Sequence, residues 1–166
     1  MEYQIKNIFE NIFNTKLQEK TPKRFLNAME EMTSGYKQNS KEILEGALFE
    51  TLYPNGTIQI RDIPFTSLCE HHILPFTGVC HVTYEPTTHV VGLSKIPRVV
   101  HAFSKRLQIQ EKLGYEIAKC IKEVVKANKV TVEIEAKHMC MCGRGVETSS
   151  AQTNTKIELV EPVCIV

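Results

Sequence analysis

Cys69-Glu70-His71-His72 and His138-Met139-Cys140 stand far apart in the chain, and a fold that uses them together must bring two remote strand ends to one point. That requirement restricts the architecture more than any other feature of the sequence. Cys69 and His72 are separated by two residues, a spacing at which one turn can point both side chains at a single ion. Cys140 would supply a third donor from a different strand. A mixed sulfur and nitrogen set suits zinc. Zinc held by only three protein ligands keeps one position for water and lowers the pKa of that water to roughly 7, so hydroxide exists at neutral pH and hydrolysis is the natural chemistry. Cys142 offers the opposite outcome, a fourth sulfur that closes a purely structural site. Strand alternation keeps Cys140 and Cys142 on one face, whereas Gly143-Arg144-Gly145 indicates that the regular strand is ending. Spacing alone leaves both geometries open.

The periodicity divides the chain into an N-terminal helical segment, residues 1–52, and a core, residues 53–166. Ile5, Ile8, Phe9, Ile12 and Phe13 recur at helical spacing. Thr21-Pro22 starts a second helix carrying Phe25, Ala28, Met29 and Met32, which Gly35 ends. A third is expected from Ser40 to about Phe49, with Ile43, Leu44 and Leu48 facing inwards. Tyr53-Pro54-Asn55-Gly56 then breaks the pattern. From Thr57 the period falls to two, with strands through Ile58–Ile63 towards the cysteine string, Phe76–Tyr84 and Val90–Leu93. A long helical stretch from Ile96 to Ala127, broken near Gln108, precedes strands over Val130–Ala136 and Thr153–Val160. The reading is an α+β domain with helices on one face of a mostly antiparallel sheet.

Composition bounds the partners. A chain of 166 residues with 42% hydrophobic content suffices for one buried core. A formal charge of +1 gives no general attraction for nucleic acid, so any anion site must be local. No leader-like segment or bilayer-length apolar run is found, and the expectation is a soluble cytoplasmic protein with no membrane partner. Six cysteines in such a chain are expected as reduced thiols, and Cys164, third from the end, does not meet the prenylation pattern. No Walker-type phosphate loop occurs.

Four strings in order, Cys69-Glu70-His71-His72, Gly92-Leu93-Ser94-Lys95-Ile96-Pro97-Arg98, Leu107-Gln108-Ile109-Gln110-Glu111 and His138-Met139-Cys140-Met141-Cys142-Gly143-Arg144-Gly145, carry a family resemblance. The chain resembles GTP cyclohydrolase I, of the T-fold group, over roughly Thr21 to Thr155. The resemblance implies opening of the guanine imidazole ring of GTP, loss of C8 as formate, and dihydroneopterin triphosphate as product. It makes Cys69, His72 and Cys140 the ligands of Zn2+ and leaves Cys142 unused. His138 becomes the proton donor to the purine, and His71 a second histidine on the substrate side. Ser94 is implied as a further catalytic hydroxyl, next to the phosphate contacts. Glu111 matches the guanine-reading position, where one carboxylate can accept from both N1–H and the exocyclic amine, and Gln110 beside it is implied as a further substrate contact. Lys95, Arg98 and Arg144 match triphosphate contacts, and Arg24 an arginine reaching in from a neighbouring subunit. A homodecamer of two pentamers with sites between subunits is implied as well.

Some positions depart from the pattern. Lys156 to Val166 is a short strand-like tail where the family continues into a final helix, and Ala151 stands where a serine is common. His81, His89 and His101 lie outside the strings and are expected to be structural or exposed. Two competitors are a nitrile reductase of deazaguanine metabolism, which shares only the fold, and a non-catalytic oligomer whose zinc site Cys142 closes.

Overall fold

A computed structural model of the chain describes residues 1–54 and 56–160. Its first helix, α1 (Glu2–Phe13), ends at Asn14 in the left-handed region and sets Phe9 edge-on against Phe25 of α2 (Thr21–Met32). Pro22 occupies the first turn of α2, where its missing N–H costs nothing. Gly35 does not simply end that helix; it lies in a 3-10 turn, Ser34–Lys37. A Cβ there would sit 2.1 Å from the Ala102 carbonyl oxygen, so only glycine lets this turn approach the core.

Asn39 caps α3 (Ser40–Glu45) by accepting from the Lys41 and Glu42 N–H groups. The helix expected to run to Phe49 stops at Glu45. Leu48–Glu50 instead forms β1, antiparallel to β4 (His89–Val91), with Leu48 opposite Val91. Gly46 weakens the helix, and bonds from the Gly92 N–H to the Ala47 carbonyl and from the Thr51 N–H to the Thr88 carbonyl extend the pairing. Those partners are remote in sequence, which is why local helical periodicity misled.

The main sheet has the order β5-β2-β3-β6-β7, with β2 (Ile58–Cys69), β3 (Pro75–Glu85), β5 (Leu107–Gln108), β6 (Lys129–His138) and β7 (Thr153–Val160). Every neighbouring pair is antiparallel except β2 with β5. A bulge in β2 between Ile60 and Ile63 puts Asp62 at φ 56°, and its N–H donates to His81 Nδ1 at 3.1 Å. The break near Gln108 separates α4 (Lys95–Ser104) from α5 (Gln110–Val125) and is itself β5.

Both helices cover one face of the sheet. Ile96, Val99 and Val100 of α4 and Leu113, Ile117 and Ile121 of α5 are buried with Phe65, Val82, Tyr84, Val130, Val132 and Ile134 of the strands. The other face carries ion pairs such as Lys129 with Glu158 and Lys156 with Glu133. Opposite faces of β6 therefore meet apolar and aqueous surroundings, which sets its register. Among the described residues no helix is long and apolar enough to cross a membrane. Asn55 of the expected turn, and the part of the tail beyond Val160 with Cys164, lie outside the described residues.

Candidate active site

Cys69 closes β2 and opens a tight turn. Its N–H donates to the Leu74 carbonyl at 2.8 Å, its own carbonyl accepts from His72 and Ile73, and Ile73 takes the left-handed conformation at φ 55°. This turn folds His72 back on Cys69, with Sγ and Nδ1 3.8 Å apart. Parallel pairing with β5 holds the same point from the other side, since the Glu70 N–H donates to the Gln108 carbonyl at 2.9 Å. An ion pair of Glu70 with Lys112, 3.1 Å long, ties the turn to the start of α5.

Cys140 reaches the turn from across β3, at the same end of the sheet, since Phe76 pairs with Ser67 of β2 on one side and with His138 of β6 on the other. β6 ends at His138, and Met139–Cys142 forms a short helical turn, α6, that swings the cysteine back. The ligating atoms of Cys69, His72 and Cys140 all lie within 4.8 Å of one another. Tetrahedral zinc with bonds of roughly 2.0–2.3 Å separates such donors by about 3.6–3.8 Å, so these residues fit the ion with small adjustments. The chemistry of the pair agrees. Burial and the adjacent Cys69 push the Cys140 thiol up, because two neighbouring sulfurs resist losing both protons without a cation between them. Cys142 does not join the group; its Sγ lies 3.7 Å from the Thr148 carbonyl oxygen. Burial pushes the Cys80 and Cys120 thiols up, to about 12 and about 11, which disfavours the reactive thiolate at both.

His138 stands two residues from Cys140 and opposite Phe76 in the β3–β6 ladder. The two rings stack, with planes 2° apart and centroids at 4.6 Å. Burial holds the imidazole below its ordinary range, while the carboxylate of Glu111 acts in the opposite direction. Gln110 Oε1 lies 2.7 Å from His138 Nε2. The reading of Gln110 as a substrate contact therefore meets a side chain only 2% exposed, with its carboxamide turned into the protein. Sequence patterns missed both Phe76 and this use of Gln110, because strand register alone brings them to His138.

The remaining expected residues lie on the surface of the single chain. His71 is exposed, its ring edge-on to that of His72. Glu111 is exposed but close enough to act on His138, and the charge of Arg144 reaches Cys140. Ser94 precedes α4 without spending its hydroxyl on a cap, and Lys95 and Arg98 occupy the first turn, which holds no acidic residue. Cations on a helix N-terminus suit an anion, since the free N–H groups add to their field. Arg24 is exposed on α2. None of Arg24, Lys95, Arg98 and Arg144 enters an ion pair formed among the described residues. No hydrogen bond or ion pair among those residues joins Arg24, Ser94, Lys95 or Arg98 to the Cys69–His72–Cys140 cluster.

Comparison with known proteins follows the same lines. The family model for GTP cyclohydrolase I matches residues 1–160. The GTP cyclohydrolase 1 of Campylobacter jejuni is 55% identical over 136 residues, which are 82% of this chain and 71% of the relative. That of Campylobacter lari is 50% identical over 157 residues, 93% of this chain and 82% of the relative. A GTP cyclohydrolase 1 of Pseudomonas aeruginosa is 50% identical over 139 residues, 84% and 74% of the two chains. Among solved structures, the archaeosine synthase QueF-Like in the apo form gives a TM-score of 0.51 at 15% identity, covering 64% of this chain and 94% of that one. At that identity the likeness speaks for the T-fold alone.

Proposed function

The chain belongs to the GTP cyclohydrolase I family, and from that premise we propose that it opens the imidazole ring of GTP by zinc-dependent hydrolysis, releasing formate and leaving 7,8-dihydroneopterin triphosphate. The observation that carries the reading is the convergence of Cys69, His72 and Cys140 beside His138 in a chain of this family. Those three residues would hold the ion, which supplies activated water at neutral pH.

The other residues then take roles their chemistry suits. His138 donates a proton to purine N7 from its imidazolium form, in which both ring nitrogens carry hydrogen, with the Glu111 charge favouring that form against burial. Glu111 accepts from the guanine N1–H and amino group, and His71 and Ser94 border the reacting centre. Lys95, Arg98 and Arg144 neutralise the triphosphate, joined by Arg24 of a neighbouring copy. The openness of the cluster in one chain, with His71, His72, Glu111 and Arg144 exposed, supports sites completed between subunits of a homodecamer. The product is a precursor for tetrahydrofolate, other pterins or deazaguanines, made in the cytoplasm.

Incubating the purified zinc-loaded protein with GTP tests the reading. Stoichiometric formate and a pterin that fluoresces after oxidation are expected; intact GTP after prolonged incubation would refute it.

A further inference from the structure

Gln110 opens α5 and is 2% exposed, yet every polar atom of its side chain is engaged. Its Nε2 lies 2.9 Å from the Ile134 carbonyl oxygen, 3.1 Å from that of Thr153 and 3.2 Å from Thr155 Oγ1. A backbone carbonyl only accepts, so the amide nitrogen has to face β6 and β7, and the amide oxygen is left facing His138 at 2.7 Å. Turning the carboxamide over would aim its oxygen at two carbonyl oxygens. An amide oxygen also only accepts. The His138 nitrogen opposite it must therefore carry hydrogen, and in a neutral imidazole only one nitrogen does.

The ring has little other freedom. Phe76 lies parallel to it, and the β3–β6 register fixes that pairing. Among the described residues Nδ1 has no hydrogen-bond partner. Both amide hydrogens of Gln110 are meanwhile spent on strand carbonyls and Thr155, which leaves none for guanine.

We infer that Gln110 is a positioning residue that holds His138 in the Nε2–H tautomer, so that Nδ1 is the ring atom presented to the purine. The tautomer follows from the contacts of Gln110; only the meeting with the purine rests on the proposed reaction. The anchor spans three elements, because α5 supplies the carboxamide, β6 both Ile134 and His138, and β7 Thr153 and Thr155.

Nitrogen NMR of the full-length, zinc-loaded protein labelled at histidine tests the tautomer directly, at about pH 8.5 where an ordinary imidazole is neutral. The His138 signal is identified by its loss in His138→Gln. An Nε2–H pattern is expected in the unsubstituted protein, and an Nδ1–H pattern would overturn the inference whatever the folding of any variant. In Gln110→Leu the tautomer preference should relax and kcat should fall by about 10- to 100-fold, with KM for GTP and zinc content unchanged. A raised KM at unchanged kcat would overturn the inference and return Gln110 to the guanine site. An Nε2–H pattern in a protein that leaves GTP intact would uphold the tautomer and overturn the presentation to the purine together with the proposed reaction.

Discussion

Gly78 lies in β3 opposite Ala136 of β6, two residues along the ladder from Phe76 and His138. A Cβ built there would fall 1.8 Å from the Glu135 carbonyl oxygen and 2.7 Å from the Ala136 Cα. Contacts below 3.0 Å are not tolerated, and the obstructing atoms are backbone, so Gly78→Ala must drive the two strands apart by about 1 Å or more. Overpacking of this kind costs roughly 1–3 kcal/mol, and straining two ladder hydrogen bonds adds about 1 kcal/mol each, giving about 3–5 kcal/mol. Against a total of about 5–15 kcal/mol, that is a large share. With about 2–4 °C per kcal/mol for a chain of this size, the melting temperature should fall by roughly 6–20 °C. A displacement near 1 Å beside the reacting groups should also lower kcat about 100-fold in whatever fraction remains folded. Thermal and urea denaturation, paired with the GTP assay below the melting point, read both effects. A Gly78→Ala protein within about 0.5 kcal/mol of the parent, turning over normally, would refute the close-approach reasoning.

Cys140→Ala should lose both bound zinc and turnover, whereas His138→Asn should keep zinc by mass spectrometry while kcat drops about 10²- to 10⁴-fold. Near-normal rates in the histidine variant would remove it from the chemistry. Arg98→Ala should raise KM for GTP about tenfold or more, the loss of one charge-assisted contact to phosphate, without moving the denaturation midpoint. Burial disfavours the protonated His138 ring in the folded protein, so its contribution to stability is complete above the unfolded value of about 6.5 and is lost as pH falls from there through the lower folded value. Denaturation midpoints of the metal-free protein should therefore fall more steeply below that pH than those of His138→Gln, and parallel curves would contradict the assignment.

Elements with long periodic patterns are legible in the sequence alone. The apolar stripe after Thr21-Pro22 became α2, and the alternation from Val130 to Ala136 became β6. β1 and β5 were not legible as strands, since segments of two or three residues carry no usable period and exist only because Val91 and Leu68 offer ladder partners. The metal-ligand strings could be found because each is local, a turn with two donors and a strand end with one. Their convergence required β2 and β6 to flank β3 in one sheet. The part played by Gln110 was hidden for the same reason, because its partners are carbonyls of β6 and β7 whose register no residue type announces.

Chemical identity was written in the chain itself: which residues can bind a soft cation, which can carry a proton at neutral pH, and which family uses them in that order. Geometry was not. Distances between those groups, the direction of the His138 ring and the commitment of Gln110 to the protein interior came from strand pairing and burial. Hydrogen bonds and packing act between residues remote in sequence, so only the closed fold selects one arrangement among the many the side chains allow.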